Sequence, residues 1–177
     1  MVLSARLRWL WLTLGVVLLD RATKAFVESR PLGYFPRTVV ANFFSLVDSR
    51  NPALAFSFLS GLSSPALRAV IVVSSLVILG VISWLLVAGS GMSAFSCAGL
   101  ALILGGATGN VTDRILHGAV TDFLEFTIRF IPLRVFNPWP AFNVADSAIT
   151  IGALCILLDV LFGHRSAKAN ISPAREL

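Results

Sequence analysis

The sequence predicts an all-α membrane protein: a four-transmembrane-helix bundle whose helices are joined by two longer extramembrane segments. Three observations carry that expectation. The 177 residues are 56% hydrophobic and only 13% charged, about half the charge of a soluble domain, for which roughly 25% is usual. Mean hydropathy is +0.86. The apolar residues fall into four runs, and four crossings of about 20 residues each would use nearly half the chain. One compact membrane domain spanning residues 1–177 is therefore expected.

The first apolar run, Trp9 to Leu19, is 11 residues long, too short by itself to cross about 30 Å of hydrocarbon. Arg6 and Arg8 in front of it resemble a signal peptide, but no A-x-A cleavage pattern follows; Asp20-Arg21-Ala22-Thr23-Lys24 comes instead. An uncleaved span from about Leu7 to Phe26 is expected. Asp20 and Lys24, spaced i,i+4 with the acid first, then share a face and can pair. The alternative is a helix that stops at Leu19 and leaves both side chains in water.

Residues 27–65 hold Pro31, Pro36 and Pro52, an aromatic and β-branched stretch from Val39 to Leu46, and a second from Ala55 to Leu59. This composition reads as a small extramembrane sheet, a β-cradle. The second span is Ala66 to Ala88, apolar apart from Arg68 and three serines, and Gly89-Ser90-Gly91 makes a tight turn. The third runs from Met92 to about Asn110 and the fourth from about Asn143 to Phe162. Between them, residues 114–142, with Pro132, Pro138 and Pro140, form a second extramembrane segment.

Four crossings put both termini on one side. Arg6, Arg8, Arg165, Lys168 and Arg175 lie there, while the other nine of the 14 basic residues lie opposite, so a plain count argues against cytoplasmic termini. We set that count aside because several of the nine are flanked by acids or polar motif residues and read as paired. The net charge of +5 is scattered at span ends and suits anionic lipid headgroups better than nucleic acid.

Cys97 and Cys155 each stand alone inside an apolar run, which excludes a local CxxC redox or metal pair and leaves them as small core residues. His117 and His164 lack HExxH spacing, so a zinc peptidase is not expected.

The chemistry-bearing residues gather near span ends. Gly106, Asn110 and Asp113 fall on one helical face, while Gly105 and Gly109 form a G-x-x-x-G pattern that admits a close neighbour. Asn143, Asp146, Ser147 and Thr150 make a second polar face, and two such faces in an apolar bundle must meet each other or water. Asp122 sits among apolar neighbours, which raises a carboxyl's proton affinity. Asp146 falls in the first turn of a helix entered at Pro140 and Asn143, where the dipole favours negative charge. Carboxyls pushed apart in this way suit an acid and base pair that activates water at a carbonyl, without a metal, cofactor or nucleophilic side chain. The competing readings are snorkelling acids, structural pairing with Arg114, Arg129 and Arg134, a proton relay with Asp159 as its one deeper member, or a membrane scaffold. Asp113, followed directly by Arg114, competes with Asp122 as partner of Asp146; an ion-paired carboxylate there would be a poor donor.

The linear pattern narrows these choices. Asp20-x-x-x-Lys24, Asn51 with Ala55-Phe56, Gly105-Gly106-Ala107-x-Gly109-Asn110-x-x-Asp113-Arg114, Val120-x-Asp122-Phe123 and Phe142-Asn143-x-Ala145-Asp146 resemble, in order and context, the lipoprotein signal peptidase (signal peptidase II) family from about Leu10 to Phe162. The resemblance implies an aspartic peptidase of the bacterial inner membrane with four spans and cytoplasmic termini. Its site would open at the outer leaflet, beneath an extracytoplasmic β-cradle and a mobile helix between spans three and four. It implies cleavage of a prolipoprotein signal peptide just before a diacylglyceryl-modified cysteine. Carried over by position, the catalytic pair is Asp122 and Asp146. Asn110, Asp113, Arg114 and Asn143 surround it, and Asp20, Lys24 and Asn51 support it or the substrate. The expected partners are the diacylglyceryl-prolipoprotein and membrane phospholipid, with no nucleic acid, no metal and no cofactor, for a monomer. The chain departs from the family's usual N-x-G-A-A-F in Asn51-Pro52-Ala53-Leu54-Ala55-Phe56, and the interval from Asp122 to Asp146 is longer than usual.

Overall fold

The computed structural model describes residues 6–52, 65–128 and 137–169. The expectations resting on Ala53, on Ala55 to Leu59, and on Arg129, Pro132 and Arg134 lie outside the described residues. The elements run α1 (Trp9–Glu28), β1 (Arg37–Val40), β2 (Phe44–Asn51), α2 (Pro65–Ala88), α3 (Ala94–His117), β3 (Val120–Phe126) and α4 (Val144–Ala169). The fold is mostly helical, with one small sheet.

Among the described residues, three helical stretches are long and apolar enough to cross a membrane: Ala69–Ala88, Ala94–His117 and Val144–Phe162. α1 is 20 residues long, which at 1.5 Å per residue also reaches about 30 Å, but Asp20, Arg21, Lys24 and Glu28 crowd its second half. It continues through Asp20 and Lys24 to Glu28 instead of ending at Leu19.

α3 is the central helix, packed against α4, α1 and α2. Small residues set how closely. A methyl group on Gly105 would meet Val16 Cβ at 2.7 Å and the Thr13 carbonyl oxygen at 2.9 Å, both on α1. One on Gly106 would run into the Ala145 carbonyl and one on Gly109 into the Asp20 carboxylate. The G-x-x-x-G pattern thus serves α1, while Gly106 serves α4. Gly99, which the pattern did not single out, meets Gly152 of α4 in the same manner. Toward the other end, Leu86, Cys97, Leu100, Ala101 and Leu104 form the buried apolar core. Both cysteines are free thiols.

Two boundaries differ from expectation. α3 does not stop at Asn110 but runs seven residues further to His117, where Gly118 takes φ 74° and its N–H donates to the Arg114 carbonyl at 3.1 Å. This left-handed C-cap, with Arg114 and His117 in the last turn, is a better stop than the asparagine. Asp113 and Arg114 are therefore helical. The stretch from Val39 to Leu46 is not one strand: β1 and β2 flank a turn in which Asn42 has φ 59°.

The sheet has strand order β1-β2-β3, all antiparallel. Its third strand comes from the segment after α3, so that segment is not wholly irregular. Leu46 pairs with Leu124, but the next pair is Ser49 with Asp122, followed by Arg50 with Thr121 and Asn51 with Val120. One extra residue of β2 is taken up in a bulge between Leu46 and Ser49. At the other edge of β3, Phe142 bridges Leu124, and Phe126 stacks on Phe44 and Phe142 with centroids 4.8 and 5.8 Å away. The sheet is thereby pinned to the entry of α4.

Gly106→Ala should lower the thermal unfolding temperature of the detergent-solubilised protein, since overpacking of this kind costs about 1–3 kcal/mol. Gly80→Ala, where a methyl group meets nothing within 4 Å, should leave it unchanged or slightly higher; equal losses in both variants would show that Gly106 does not set the helix spacing.

Candidate active site

The ends of α1, α3 and β2 and the beginnings of β3 and α4 converge on one polar cluster in an otherwise apolar bundle. Lys24 is its centre. The ammonium lies 2.8 Å from Asp20 Oδ2 and 2.7 Å from Asp113 Oδ2, with all three side chains wholly buried, and it donates to Asn110 Oδ1 at 3.0 Å. The expected i,i+4 pair therefore exists, as part of a larger group. Asp20 uses its other oxygen to accept from the Ala145 backbone N–H at 3.1 Å, one of the orphan donors at the N-terminus of α4.

Asp113 is ion-paired, and its partners come from another helix. Its partners are Lys24 and Arg21, both from α1, and not the following Arg114, whose guanidinium donates to the Asn110 carbonyl at 3.2 Å. Successive helical residues point about 100° apart, whereas Arg21 and Lys24 lie on one face of α1. Asp113 is thus ion-paired to α1, apart from the Asn143 amide that reaches Asp122.

Asn143 is the N-cap of α4. Its Oδ1 accepts from the Asp146 N–H at 2.9 Å and its own N–H donates to Asp146 Oδ2 at 3.1 Å, a capping box with aspartate at N3. Its side-chain nitrogen then reaches back, donating to Asp122 Oδ1 at 2.7 Å and to the Thr121 carbonyl at 3.3 Å. One asparagine thus grips both carboxyls. Asn110 Nδ2 donates to Asp146 Oδ1 at 2.8 Å, and Asn51 Nδ2 to Asp122 Oδ2 at 3.1 Å. The latter is a diagonal contact across the sheet, because Asp122 stands opposite Ser49. Every hydrogen bond that Asp122 and Asp146 accept among the described residues comes from a neutral amide.

Asp122 is 3% exposed. Burial pushes its carboxyl up from the ordinary 3.8 to about 6; the Asp146 charge adds to the rise, while the Asn51 and Asn143 amides and the Lys24 charge hold it down. An acid titrating there can carry a proton at near-neutral pH. Asp146 is only partly buried. Ser147 and Thr150, expected on the same polar face, instead donate to the Asn143 and Asp146 carbonyls of their own helix at 3.0 and 2.8 Å. They satisfy the backbone and take no part in the cluster.

Reasoning from sequence passed over Arg21, Glu28, Arg50 and Thr121, which continue the network outward. The readable signal was Arg21 and Glu28 at i and i+7, on the face that carries Lys24. Glu28, Asp113 and His117 bring potential ligand atoms within 4.8 Å of one another, but Arg21, Lys24 and Arg50 already neutralise the two acids. A cation there would face three others.

Two carboxyls in a helical bundle, held by amides and differing in exposure, are an arrangement suited to acid–base chemistry in a membrane protein. The signal peptidase (SPase) II family model matches residues 12–162. A lipoprotein signal peptidase of Paraburkholderia phytofirmans is 45% identical over 163 residues, covering 90% of this chain and 88% of the relative. One of Pseudomonas aeruginosa is 40% identical over 171 residues, covering 93% and 94%. Two solved structures of bacterial membrane enzymes share the fold at TM-score 0.73, with 24% and 23% identity; they cover 96% and 88% of this chain, and it covers 94% and 93% of them. The chain belongs to the signal peptidase II family and is an integral membrane peptidase.

The raised carboxyl has a consequence for stability. Because Asp122 binds its proton more tightly folded than unfolded, the native state holds more protons between about pH 4 and pH 6, and stability falls as pH rises through that window. Asp122→Asn, which cannot ionise, should be more stable than the parent at pH 7.5 by on the order of 2 kcal/mol, and this advantage should vanish by pH 4. Thermal unfolding at both pH values checks it; a variant less stable than the parent at pH 7.5 contradicts it.

Proposed function

We propose that the protein is an aspartic endopeptidase of the bacterial inner membrane that removes the signal peptide from diacylglyceryl-modified prolipoproteins, cutting before the lipidated cysteine. The observation that carries this reading is the double grip of Asn143, which brings Asp122 and Asp146 to one point. The family's motif positions coincide with these two acids.

In the reaction, Asp122 carries the shared proton and Asp146 the charge. A water between them loses a proton to Asp146 as its oxygen bonds to the scissile carbonyl carbon, while Asp122 gives its proton to the carbonyl oxygen. The resulting gem-diol collapses: Asp146 gives its proton to the leaving nitrogen as the C–N bond breaks, one gem-diol hydroxyl returns its proton to Asp122 as the new carboxyl C=O forms, and the pair is left with one proton as at the start. Neutral amides from Asn51, Asn110 and Asn143 suit this role, since they orient both carboxyls without fixing either as an ion. Asp113, Asp20 and Lys24 hold the helices that carry them, and Arg114 braces Asn110.

Support for a fourth span comes from what α1 presents outward. Asp20 and Lys24 are wholly buried and Arg21 is ion-paired, whereas Trp11, Leu14, Leu18, Leu19 and Phe26 are exposed. Its lipid-facing surface is apolar although its composition is not. With four spans over a single domain of residues 1–177, both termini lie at the cytoplasmic side and the dyad at the outer leaflet, with bulk phospholipid around a monomer. Presentation there follows from the substrate: two acyl chains at about 0.8 kcal/mol per CH₂ hold the scissile bond at the interface. A proton relay fits less well, since Asp159 accepts from the hydroxyls of Ser93, at 2.6 Å, and Ser96 at the opposite end of α3.

Asp122→Asn and Asp146→Asn should each insert stably yet leave a diacylated prolipoprotein uncleaved in a gel-shift assay, with rates down at least about a thousandfold. Parental turnover in either variant ends the dyad assignment. For the parent, kcat/KM should decline as pH rises through about 6, where Asp122 loses its proton. The corresponding limb of kcat should lie at higher pH, because bound substrate covers the carboxyl further; a kcat limb at lower pH contradicts the assignment. Infrared titration of isotope-labelled carboxyls should find the resting proton on Asp122.

A further inference from the structure

One buried hydroxyl has no part in the chemistry above. Thr121, the residue before Asp122, is wholly buried. Its Oγ1 donates to Glu28 Oε1 at 2.7 Å, near the end of α1, and accepts from Arg50 NH1 at 2.9 Å, across the sheet on β2. Arg50 also reaches Glu28 Oε1 at 3.3 Å and Asp48 Oδ1 at 3.2 Å. On its backbone side, the Thr121 carbonyl accepts from Asn143. The residue is thus tied to α1, β2 and α4 at once, although 93 positions separate it from Glu28.

We propose that Glu28, Thr121 and Arg50 form a clasp that sets the position of β3, making Thr121 and Glu28 positioning residues for Asp122. This rests on the dyad reading above. The geometry asks for a residue of a particular kind. The hydroxyl's single proton goes to the carboxylate and a lone pair takes the guanidinium, so the side chain must both donate and accept. Its β-branched shape suits a strand. Valine would match shape and strand preference while losing both bonds, and serine would keep both bonds with less bulk.

The clasp acts on Asp122 through the adjoining peptide. Asp122 is positioned by two amide bonds of 2.7 and 3.1 Å, and a shift of β3 away from α1 lengthens both. Catalytic geometry is sensitive at this scale, a displacement of about 1 Å costing up to about a hundredfold. The same amides hold the carboxyl's proton affinity down, so loosening them raises it. The charged groups that act on Asp122 are Asp146 of α4 and Lys24 of α1, with Arg114 of α3 also coupled to it. Thr121 touches none of them, so its loss moves the titration only through position.

The test measures kcat and KM for a diacylated prolipoprotein from pH 5 to pH 9, using the full chain in lipid-doped detergent micelles. Parent, Thr121→Val, Thr121→Ser, Glu28→Gln and Asp122→Asn are compared. Thr121→Val should lose about tenfold or more in kcat with KM within about twofold, and the alkaline limb of kcat/KM should move up by about half a pH unit or more. Thr121→Ser should recover most of the rate and the parental limb. Glu28→Gln, which keeps an acceptor for Thr121 but weakens the hold on Arg50, should fall between them.

Thr121→Val with parental kcat and limb overturns the clasp, as does a loss seen only in KM, or one that Thr121→Ser does not recover. If Thr121→Val fails to insert, Glu28→Gln decides: a parental rate and limb overturn the proposal, and a reduced rate with a raised limb supports it. Turnover by Asp122→Asn at the parental rate instead removes the dyad reading on which the clasp depends, whatever the Thr121 variants do.

Discussion

An ammonium group sealed away from water governs the architecture. Desolvating Lys24 costs several kcal/mol unless opposite charges and hydrogen bonds surround it closely, and the bundle supplies them from two helices: Asp20 of α1, and Asp113 and Asn110 of α3. Asp20 then engages the N-terminus of α4. Three helices must therefore meet within a few ångströms, which only the glycines along α3 permit. From Lys24 the charges alternate outward through Asp113, Arg21, Glu28 and Arg50 to Asp48. This run of opposite signs ties the sheet to the bundle through side chains from three elements, α1, α3 and β2.

That arrangement separates two kinds of acid within one cluster. Asp20 and Asp113 are spent on cations. Among the described residues, Asp122 and Asp146 accept hydrogen bonds from amide donors alone. The asparagines couple the two sets: Asn110 accepts from Lys24 and donates to Asp146, so the scaffold orients the reacting carboxyl by dipole without transferring its charge.

The local part of this design was legible. Helix placement followed apolar runs, although α3 continues past Asn110 to His117; the Asp20 and Lys24 pair followed i,i+4 spacing, and the entry of α4 followed Pro140 and Asn143. The Asn143-x-x-Asp146 capping box was also written there, though only the helix entry was read from it. What escaped was non-local. Val120–Phe126 is buried along its first four residues, so it lacks the polar and apolar alternation that marks a half-exposed strand, and its partner β2 lies some seventy positions earlier. That Asp113 would be ion-paired was legible, but its partners Arg21 and Lys24, on another helix, were not. α1 fails a hydropathy reading because its charges cancel one another indoors, which composition alone cannot express.

The bulge in β2 acts as a phase shift. Had the ladder continued in step from Leu46 opposite Leu124, Asp48 would oppose Asp122 and Arg50 would take the diagonal place that Asn51 holds. A guanidinium there would keep the carboxylate permanently ionised. Strand length is thus a chemical variable in this protein: losing one residue, with every motif side chain still encoded, would exchange an amide for a cation at the reacting acid. Insertions and deletions around Val47 and Asp48 are consequently constrained by proton chemistry in a way that no single substitution reveals.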